Sequence, residues 1–392
     1  GEAAVVTRST AVPDTNPECR AALERGIPLY GRPEILGAIS ALRQTIAVAG
    51  THGKTTTSSM LALVLREAGL RPSFIIGGDV NEIGTGAAWD EGDLLVVEAD
   101  ESDGSFLELS TRFGLVTNLE PDHLEHHGGF DPLLEAFDRF VEAVDGPVLV
   151  GADDEQGAAL AQRHATATVG TSVGSDWRLS GVVESWEGVR FTLTGPASGA
   201  FELELPVPGL HNARNAASAA AMAITAGAAP EAVASALARF GGVARRFEHR
   251  GQVAGVVLVD DYAHLPTEVG AVLSTARSGG FNRVVAVFQP HRFSRTEALW
   301  SSFGCSFDDA DVLYVTDVYP SGEAPRPGVS GRLVADAVLR DRPGADVRYV
   351  ARREDLLDAL AGELRDGDLC LTMGAGDLTA VPDQLRARLG AS

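Results

Sequence analysis

Residues 45–57 read Thr-Ile-Ala-Val-Ala-Gly-Thr-His-Gly-Lys-Thr-Thr-Thr, and a helical apolar pattern follows them. The apolar start predicts a buried strand, the glycines predict a turn, and the threonines predict the first turn of a helix. Backbone N–H groups and the helix dipole at such a turn attract anions, and Lys54 adds a mobile positive charge. The hydroxyl of Thr55 suits Mg²⁺, and Gly50 and Gly53 let the backbone approach a ligand closely. The segment therefore predicts a phosphate-binding loop.

The loop is shorter than the common G-x-x-x-x-G-K-[ST] pattern, because Val48 stands at its first glycine position. An ordinary turn between a strand and a helix is the competing interpretation. Lys54 argues against that interpretation, since it is the only lysine in a chain that otherwise uses arginine. A planar guanidinium is a poor substitute where a compact ammonium must reach a phosphate.

Composition limits the class of protein. With 392 residues, 45% apolar and 22% charged, the chain is long enough for two or three domains, and it lacks an apolar run of membrane-spanning length. The formal charge of −22 disfavours nucleic acid as a partner. Its three cysteines are widely separated, which disfavours disulfide scaffolds and metal clusters. These features predict a soluble, cytoplasmic protein without membrane insertion.

Strands and helices alternate along most of the chain, which predicts an α/β fold with parallel sheets. The strands expected around the phosphate loop are 45–49, 94–98, 115–117 and 148–150. Short alternating runs within 169–208 predict a small antiparallel appendage to the same sheet. Helices are expected at 212–227, with Asn212 as a plausible N-cap, and from Pro230 to about Gly241. A doubly wound unit follows, with strands at 256–259, 283–288, 312–315, 347–350 and 369–372.

Polar residues follow two of the predicted central strands. Glu98 ends one strand and is the expected magnesium ligand, because Mg²⁺ prefers one or two carboxylates together with phosphates and waters. Asn118, Asp122 and His123 follow the next strand and could face the same crevice. A lone histidine is more often structural than a ligand, so a structural role is the alternative for His123. The carboxylate of Glu101 is expected in a solvated acidic loop, as is that of Asp103.

The ordered set of motifs resembles the Mur ligases, and most closely their L-alanine-adding branch. The resemblance spans nearly the whole chain and includes the phosphate loop, which is similar to the family's GTxGKT. The matching segments are 50–57, 98–106, 118–123, 209–215, 245–247, 260–269, 291–295 and 374–378.

The resemblance implies a nucleotide and metal site built from several parts of the chain. Lys54 would contact the ATP phosphates, and Arg246 would reach the γ-phosphate from a domain boundary. Thr55, Glu98 and His123 would surround Mg²⁺. The expected ATP-binding residues are Gly50, Thr51, His52, Gly53, Lys54, Thr55, Thr56, His211, Asn215, Arg246 and Asp261. Without the resemblance, His211 and Asn215 would be read as capping groups of a helix N-terminus.

The resemblance also implies an amino-acid site in the last domain. Arg292 and Arg295 have the fork geometry that holds a carboxylate, and matching family arginines bind L-alanine. The alternative for them is a solvated basic loop. Tyr262 and His264 would complete the substrate pocket, and the ordinary pKa of His264 would suit a proton acceptor. Leu265 replaces the second of two histidines usual in the family, which leaves a changed amino-acid preference open.

The implied architecture has a remnant of an N-terminal Rossmann-like, UDP-substrate-binding domain at 1–43. A central P-loop-type ATP-binding domain with the antiparallel appendage follows at 44–248, and a Rossmann-like, amino-acid-binding domain at 249–392. The family's glycine-rich UDP-binding segment is not found before Ala3, so the chain is expected to be a fragment. Several other branches of the family carry a carbamylated lysine beside the second magnesium ion. That residue cannot occur here, because Lys54 is the only lysine.

The activity implied is ATP- and Mg²⁺-dependent ligation of L-alanine to the lactyl carboxylate of UDP-N-acetylmuramate through an acyl phosphate. Lys54, Arg246 and His264 would be its catalytic residues, and the two substrates would be its small-molecule partners. One alternative is a ligase that attaches a recycled murein tripeptide to the same nucleotide sugar. Another is a non-catalytic nucleotide-binding relative, which the intact Lys54, Glu98 and His123 disfavour.

Overall fold

In a computed structural model of the chain, the structure describes residues 3–9, 12–122, 127–196 and 198–390. Its strands form three sheets with two, ten and six members. None of the helices in these ranges combines the length and the apolar character that crossing a bilayer requires.

The ten-stranded sheet contains the phosphate loop. Its strands are β3 (Gln44–Ala49), β4 (Ser73–Val80), β5 (Thr85–Ala88), β6 (Leu94–Glu98), β7 (Phe113–Val116), β8 (Val148–Gly151), β9 (Ala167–Gly170), β10 (Trp177–Ser185), β11 (Gly188–Gly195) and β12 (Gly199–Leu205). They lie in the order β12-β11-β10-β9-β8-β7-β3-β6-β4-β5. Strand β3 pairs in parallel with β6 on one side and with β7 on the other. Because the strand order reverses there, a crevice opens beyond the carboxyl end of β3.

The predicted antiparallel appendage is present, and it continues the main sheet. Strand β10 pairs in parallel with β9, and β11 pairs antiparallel with both β10 and β12. Burial alternates along β11, as expected of a sheet with one covered face.

Helices cover both faces of this sheet. The helices preceding the third sheet are α1 (Pro17–Glu24), α2 (Arg32–Ser40), α3 (Lys54–Glu67), α4 (Phe130–Glu142), α5 (Glu155–His164), α6 (Leu210–Thr225) and α7 (Pro230–Leu237). Helices α3, α6 and α7 share one apolar core, in which the buried alanines of α6 permit close packing. Phe106, Phe137 and Phe140 pack in the core on the other face.

The prediction of Asn212 as an N-cap is wrong. Helix α6 begins two residues earlier, at Leu210, with Gly209 as the N-cap at a φ of 104°. Only glycine adopts that conformation easily, so the chain turns there and Asn212 enters the first helical turn. Its side-chain amide donates backwards to the carbonyl oxygen of Pro208 (2.7 Å).

The six-stranded sheet forms the last unit. Its strands are β13 (Glu248–Val253), β14 (Val256–Asp261), β15 (Arg283–Phe288), β16 (Val312–Val315), β17 (Asp346–Tyr349) and β18 (Asp368–Met373), in the order β13-β14-β18-β15-β16-β17. All neighbours are parallel except β13 and β14. Its helices are α8 (Pro266–Arg277), α9 (Phe293–Leu299), α10 (Arg332–Asp341), α11 (Arg353–Glu363) and α12 (Val381–Leu389). Residues 262–265 follow β14 and residues 289–292 follow β15, at the edge where parallel sheets bind ligands.

The N-terminal segment forms a small separate sheet. Strands β1 (Val6–Arg8) and β2 (Leu29–Gly31) pair in parallel, and α1 connects them. Helix α2 follows and brings Arg32 to the rim of the central crevice.

Candidate active site

The phosphate loop links the end of β3 to the start of α3. Gly50 has a φ of 123° and Gly53 a φ of 78°, both in the region that favours glycine. A Cβ at Gly50 would collide with Thr117, and one at Gly53 would collide with the side chain of Asn215. Both glycines are therefore required by conformation and by space.

Lys54 lies inside this loop with only 12% of its side chain exposed. Its ammonium donates to the carbonyl oxygens of Gly50 (2.7 Å) and Thr51 (3.2 Å), and it forms an ion pair with Glu101 (2.8 Å). Burial alone would lower the pKa of Lys54, but the nearby carboxylates, Glu101 first among them, outweigh it and raise the pKa. The ammonium thus stays charged at the mouth of the loop.

The expectation of a solvated Glu101 is wrong. The residue is 1% exposed, because the chain after β6 folds its side chain in against Lys54. Burial raises the pKa of this carboxyl to about 7, although Lys54 acts in the opposite direction. Glu101 therefore holds the single lysine in place.

Thr55 and Glu98 meet at the predicted metal position. The hydroxyl of Thr55 donates to Oε1 of Glu98 (2.9 Å), and the backbone N–H of Gly77 donates to Oε2 (2.7 Å). Within the described ranges, no group of three or more His, Cys, Asp or Glu is arranged to hold a metal ion. His123, the third predicted ligand, lies outside the described residues.

His52 connects the phosphate loop to two other elements. Its backbone N–H donates to Oδ1 of Asn118 (2.8 Å), and its ring nitrogens lie 3.2 Å from Glu120 and 3.0 Å from Glu268. Burial alone would lower the pKa of His52, but the two carboxylates outweigh it and raise the pKa to about 9. The side chain is therefore an imidazolium at neutral pH.

A cavity of about 390 Å³ lies beside the phosphate loop. Its walls include most of the predicted nucleotide contacts: His52, Gly53, Thr56, His211, Asn215, Arg246 and Asp261. Burial lowers the pKa of His211 to about 4, so this ring is neutral at physiological pH. The carboxylate of Asp261 accepts from the backbone N–H groups of Phe247 (2.7 Å) and Ala263 (2.6 Å), and burial raises its pKa to about 6.

A second cavity, of about 620 Å³, lies between the N-terminal segment and the two large sheets. It is lined by the loop residues Thr51 to Thr55 and by Glu98, Arg246, Tyr262, His264, Arg292 and Arg295. The second cavity therefore places the predicted amino-acid contacts opposite Lys54 and Glu98. His52, Gly53, Arg246 and Glu268 line both cavities and separate them.

Arg295 differs from its companion Arg292. Its guanidinium contacts the carboxylate of Asp122 through Nε (3.3 Å) and Nη2 (3.2 and 3.4 Å), and both side chains are buried. Its Nη1 lies 3.1 Å from Nδ1 of His291. The fork of Arg295 thus already holds a carboxylate of the protein, which the sequence did not suggest.

Tyr262 and His264 follow β14 at the wall of the second cavity. The guanidinium carbons of Arg245 and Arg246 lie 4.9 Å and 5.0 Å from the centre of the Tyr262 ring. Burial lowers the pKa of His264 to about 4, so the ordinary pKa expected from the sequence is wrong. Nδ1 of His264 lies 3.0 Å from the carbonyl oxygen of Tyr262, which assigns the proton of the neutral ring to Nδ1 and the lone pair to Nε2.

Three site residues were missed by sequence reasoning: Glu101, Glu120 and Glu268. Glu101 lies in a run of acidic residues, which predicts an exposed loop. Glu120 lies in a polar loop, where no pattern of apolar residues indicates burial. Glu268 carried a usable signal, since it is the third residue of a helix that begins at Pro266, the position of a capping glutamate.

Two family models match most of the chain. The Mur ligase middle domain matches residues 48–223, and the Mur ligase, glutamate ligase domain matches residues 245–376. A UDP-N-acetylmuramate–L-alanine ligase from Kineococcus radiotolerans is 48% identical over 95% of this chain and 80% of its own length. One from Nitratidesulfovibrio vulgaris is 45% identical over 97% of this chain and 84% of its own.

Solved structures extend the similarity to the fold. The UDP-N-acetylmuramate–alanine ligase MurC of Thermotoga maritima superposes with a TM-score of 0.83 at 28% identity, over 99% of this chain and 85% of the other. A murein peptide ligase from Psychrobacter arcticus superposes with a TM-score of 0.71 at 24% identity, over 97% of this chain and 85% of the other. At this identity the similarity concerns the fold only. The chain belongs to the Mur ligase family.

Proposed function

We propose that this chain ligates L-alanine to the lactyl carboxylate of UDP-N-acetylmuramate at the expense of ATP. The reaction would supply a precursor of peptidoglycan in the cytoplasm and so serve cell-wall growth, cell shape and division. The observation that carries the proposal is the second cavity, where Lys54 and Glu98 of the central unit face Tyr262, His264 and Arg292 of the last unit. The names of the relatives fit this reaction.

The first cavity fits the nucleoside of ATP. Its walls combine the neutral ring of His211 with the amide of Asn215 and the guanidinium of Arg246. The phosphates would then extend along the loop 50–56 toward Lys54, where backbone N–H groups and the start of α3 favour anions. Gly53, against Asn215, joins the nucleoside end of the site to the phosphate end.

The hydroxyl of Thr55 and the carboxylate of Glu98 fit a magnesium ion bound together with the phosphates of ATP. Both oxygens lie at the end of the loop, and Mg²⁺ is usually held by one or two protein oxygens plus phosphates and waters. The ion would neutralise phosphate charge and orient the γ-phosphoryl group. Thr55 would release its hydrogen bond to Glu98, so that both oxygens point toward the cation, with His123 as the proposed third ligand.

The chemistry requires activation because a carboxylate is a poor electrophile. The lactyl carboxylate would take the γ-phosphoryl group of ATP and become an acyl phosphate, which the amine of L-alanine attacks with loss of phosphate. Lys54 and Arg246 would offset the negative charge that develops during phosphoryl transfer. The two flanking sheets would hold the reacting groups together and keep water from the acyl phosphate.

Arg292 and His264 would act on the amine substrate. Arg292 lines the second cavity and is proposed to bind the carboxylate of L-alanine. Arg295 would support this site through His291 and Asp122. The neutral imidazole of His264 is proposed to accept a proton from the attacking amine, for which its unprotonated state at neutral pH is suitable.

The test is phosphate release from ATP with UDP-N-acetylmuramate and each of four amines in turn: L-alanine, glycine, L-serine and a murein tripeptide. Release that requires both UDP-N-acetylmuramate and L-alanine supports the proposal. Release with the tripeptide alone would assign the chain to the tripeptide-adding ligases. Phosphate release with ATP alone would indicate an ATPase without ligase activity. Absence of phosphate release under all conditions would favour a non-catalytic nucleotide-binding relative.

A further inference from the structure

The carboxylate of Glu268 joins the phosphate loop to the loop after β14. Its Oε1 lies 3.0 Å from Nδ1 of His52. Its Oε2 accepts from the backbone N–H groups of His264 (2.9 Å) and Leu265 (3.2 Å) and lies 3.4 Å from Nδ1 of His264. One side chain therefore holds two loops that belong to different sheets.

The contact is largely shielded from water. The side chains of His52 and Glu268 are 16% and 14% exposed, so their opposite charges attract each other in a medium of low polarity. Burial opposes the ionised form of Glu268, but His264, which is charged only at the low pH where Glu268 titrates, together with His52 and Arg246, outweighs it and holds the pKa of Glu268 well below its usual range. A charged pair that is this enclosed has a well-defined geometry, unlike an ion pair at the surface.

A second link reinforces the same junction. Thr267, the neighbour of Glu268, donates to Oε2 of Glu120 (2.7 Å), and that oxygen lies 3.2 Å from Nε2 of His52. The ring of His52 is thus held from both sides, while Asn118 binds its backbone N–H (2.8 Å). A shift of the phosphate loop would therefore be passed directly to the start of α8.

Helix capping alone does not explain this arrangement. Glu34 occupies the same third position in α2, and its carboxylate accepts from the backbone N–H of Gly31 (2.6 Å), but it is exposed. Glu268 performs the same capping with one oxygen and directs the other across the crevice to His52. It also lines both cavities, so it stands between the two ligands of the proposed reaction.

We propose that Glu268 is a positioning residue that couples nucleotide binding at the phosphate loop to amine binding at residues 262–265. The proposal rests on the proposed function, because it takes ATP and L-alanine as the two ligands. Phosphates bound along the loop would fix His52. Through Glu268, that loop would fix the backbone of His264 and Leu265 in the conformation that accepts the amino acid.

The experiment measures the affinity for L-alanine calorimetrically, with and without a saturating nonhydrolysable ATP analogue and Mg²⁺. Two coupled sites typically change each other's affinity by about 5- to 150-fold. We expect a factor in this range for the wild-type protein and a factor near one for Glu268→Gln, which keeps the capping oxygen but loses the charge. Glu34→Gln, the same change at a capping position outside the crevice, should keep the wild-type factor.

A second variant approaches the same contact from the other side. His52→Gln should also bring the coupling factor near one, and adding Glu268→Gln to it should cause no further loss, since the two changes break one contact. Cooperative thermal unfolding of each single variant well above the assay temperature, as for Glu34→Gln, would exclude general misfolding as the cause. In the ligase assay, Glu268→Gln should raise KM for L-alanine more than it lowers kcat.

The outcomes separate this inference from the proposed function. A wild-type factor near one, or an unchanged factor in Glu268→Gln, would overturn the coupling even if the ligase reaction proceeds. A wild-type protein that forms no product from UDP-N-acetylmuramate and L-alanine would instead overturn the proposed function. Coupling lost in Glu268→Gln and in His52→Gln, but kept in Glu34→Gln, would then still establish the connection between the loops.

Discussion

Lys54 and Glu101 form a buried pair at the centre of the proposed site, and each depends on the other. The lysine meets the expected phosphate position, while the glutamate and two carbonyl oxygens hold its ammonium there. Removing the lysine leaves the carboxylate of Glu101 buried without its cation. A buried carboxylate without a cationic partner usually takes up a proton. The proposed catalytic role of Lys54 and its contribution to stability can therefore be separated by mutation.

We expect Lys54→Ala to lower turnover by at least about 10²- to 10³-fold, because a fixed charge on the transferred phosphoryl group is lost. The free energy of unfolding should fall by about 1–3 kcal/mol, the cost of an unsatisfied buried polar group. Adding Glu101→Gln should restore stability but not turnover. Steady-state rates and urea unfolding of the three proteins test this, and an unchanged rate in Lys54→Ala would remove Lys54 from the mechanism.

The imidazolium of His52 makes stability depend on pH. Its pKa is raised to about 9 in the folded state from an ordinary value of 6.5. A raised pKa stabilises the folded state fully below about pH 6.5, and that contribution disappears as the pH rises through about 9. The full effect is about 3 kcal/mol on the scale of 1.36 kcal/mol per pKa unit. The free energy of unfolding of the wild type should therefore fall between pH 6.5 and 9 relative to that of His52→Gln. Urea unfolding of both proteins at several pH values measures this difference. A difference between the two free energies that does not change with pH would contradict the prediction.

At the scale of elements, the turn between β3 and α3 depends on the absence of a side chain at Gly53. A methyl group there would meet both an unfavourable φ of 78° and the side chain of Asn215. Gly69, just after α3, has a similar φ of 74° but open space around it. The same substitution at the two glycines therefore distinguishes the cost of the left-handed backbone from the cost of the collision with Asn215.

We expect Gly69→Ala to lower the free energy of unfolding by about 1–2 kcal/mol, the cost of a left-handed conformation, without affecting the nucleotide. Gly53→Ala should cost more and should raise the Kd of ATP by about 10- to 100-fold, because displacement of Asn215 and the loop misplaces the phosphates. Titration with a fluorescent ATP analogue provides the measurement. Equal ATP affinities in the two variants would show that the Gly53 contact does not shape the site.

The elements that sequence predicted well are those with continuous apolar runs. Strands 94–98, 283–288 and 312–315 have the predicted bounds, because each is buried on both faces and ends at polar residues. Strand β13 was missed because its sequence, Glu248-His-Arg-Gly-Gln-Val, has no apolar alternation and is stabilised by pairing with β14. Local pattern therefore predicted these interior strands but not β13, an edge strand that depends on its neighbour. It also missed the interior strand β4 (Ser73–Val80), whose apolar run of Phe-Ile-Ile is short and ends at Gly77 and Gly78.

The same contrast applies to the proposed site. The phosphate loop was predictable because strand, turn, lysine and helix are contiguous. Burial of Glu101 depends on a lysine 47 positions away, and the role of Glu268 depends on a histidine 216 positions away. Contacts of this kind follow from how the sheets face each other, which no short window of sequence contains.

At the scale of the whole molecule, the two large sheets meet through buried charge as well as through packing. Asp122 follows the central strand β7, and Arg295 lies in helix α9 of the last unit; their side chains are 7% and 6% exposed. A buried ion pair that loses one partner costs about 3–5 kcal/mol, because the remaining charge is left without compensation. This pair should therefore make the unfolding of the two units cooperative.

We expect Asp122→Asn to separate the calorimetric unfolding of the chain into two transitions, the earlier one belonging to the unit that contains β14 to β18. The wild-type protein should unfold those units together, because the last unit gains stability from the contact with Asp122. Glu297→Gln, which removes one partner of an exposed pair with Arg326, should leave the profile unchanged, since surface pairs contribute little. A single transition in Asp122→Asn at the wild-type temperature would mean that the junction is held by packing alone.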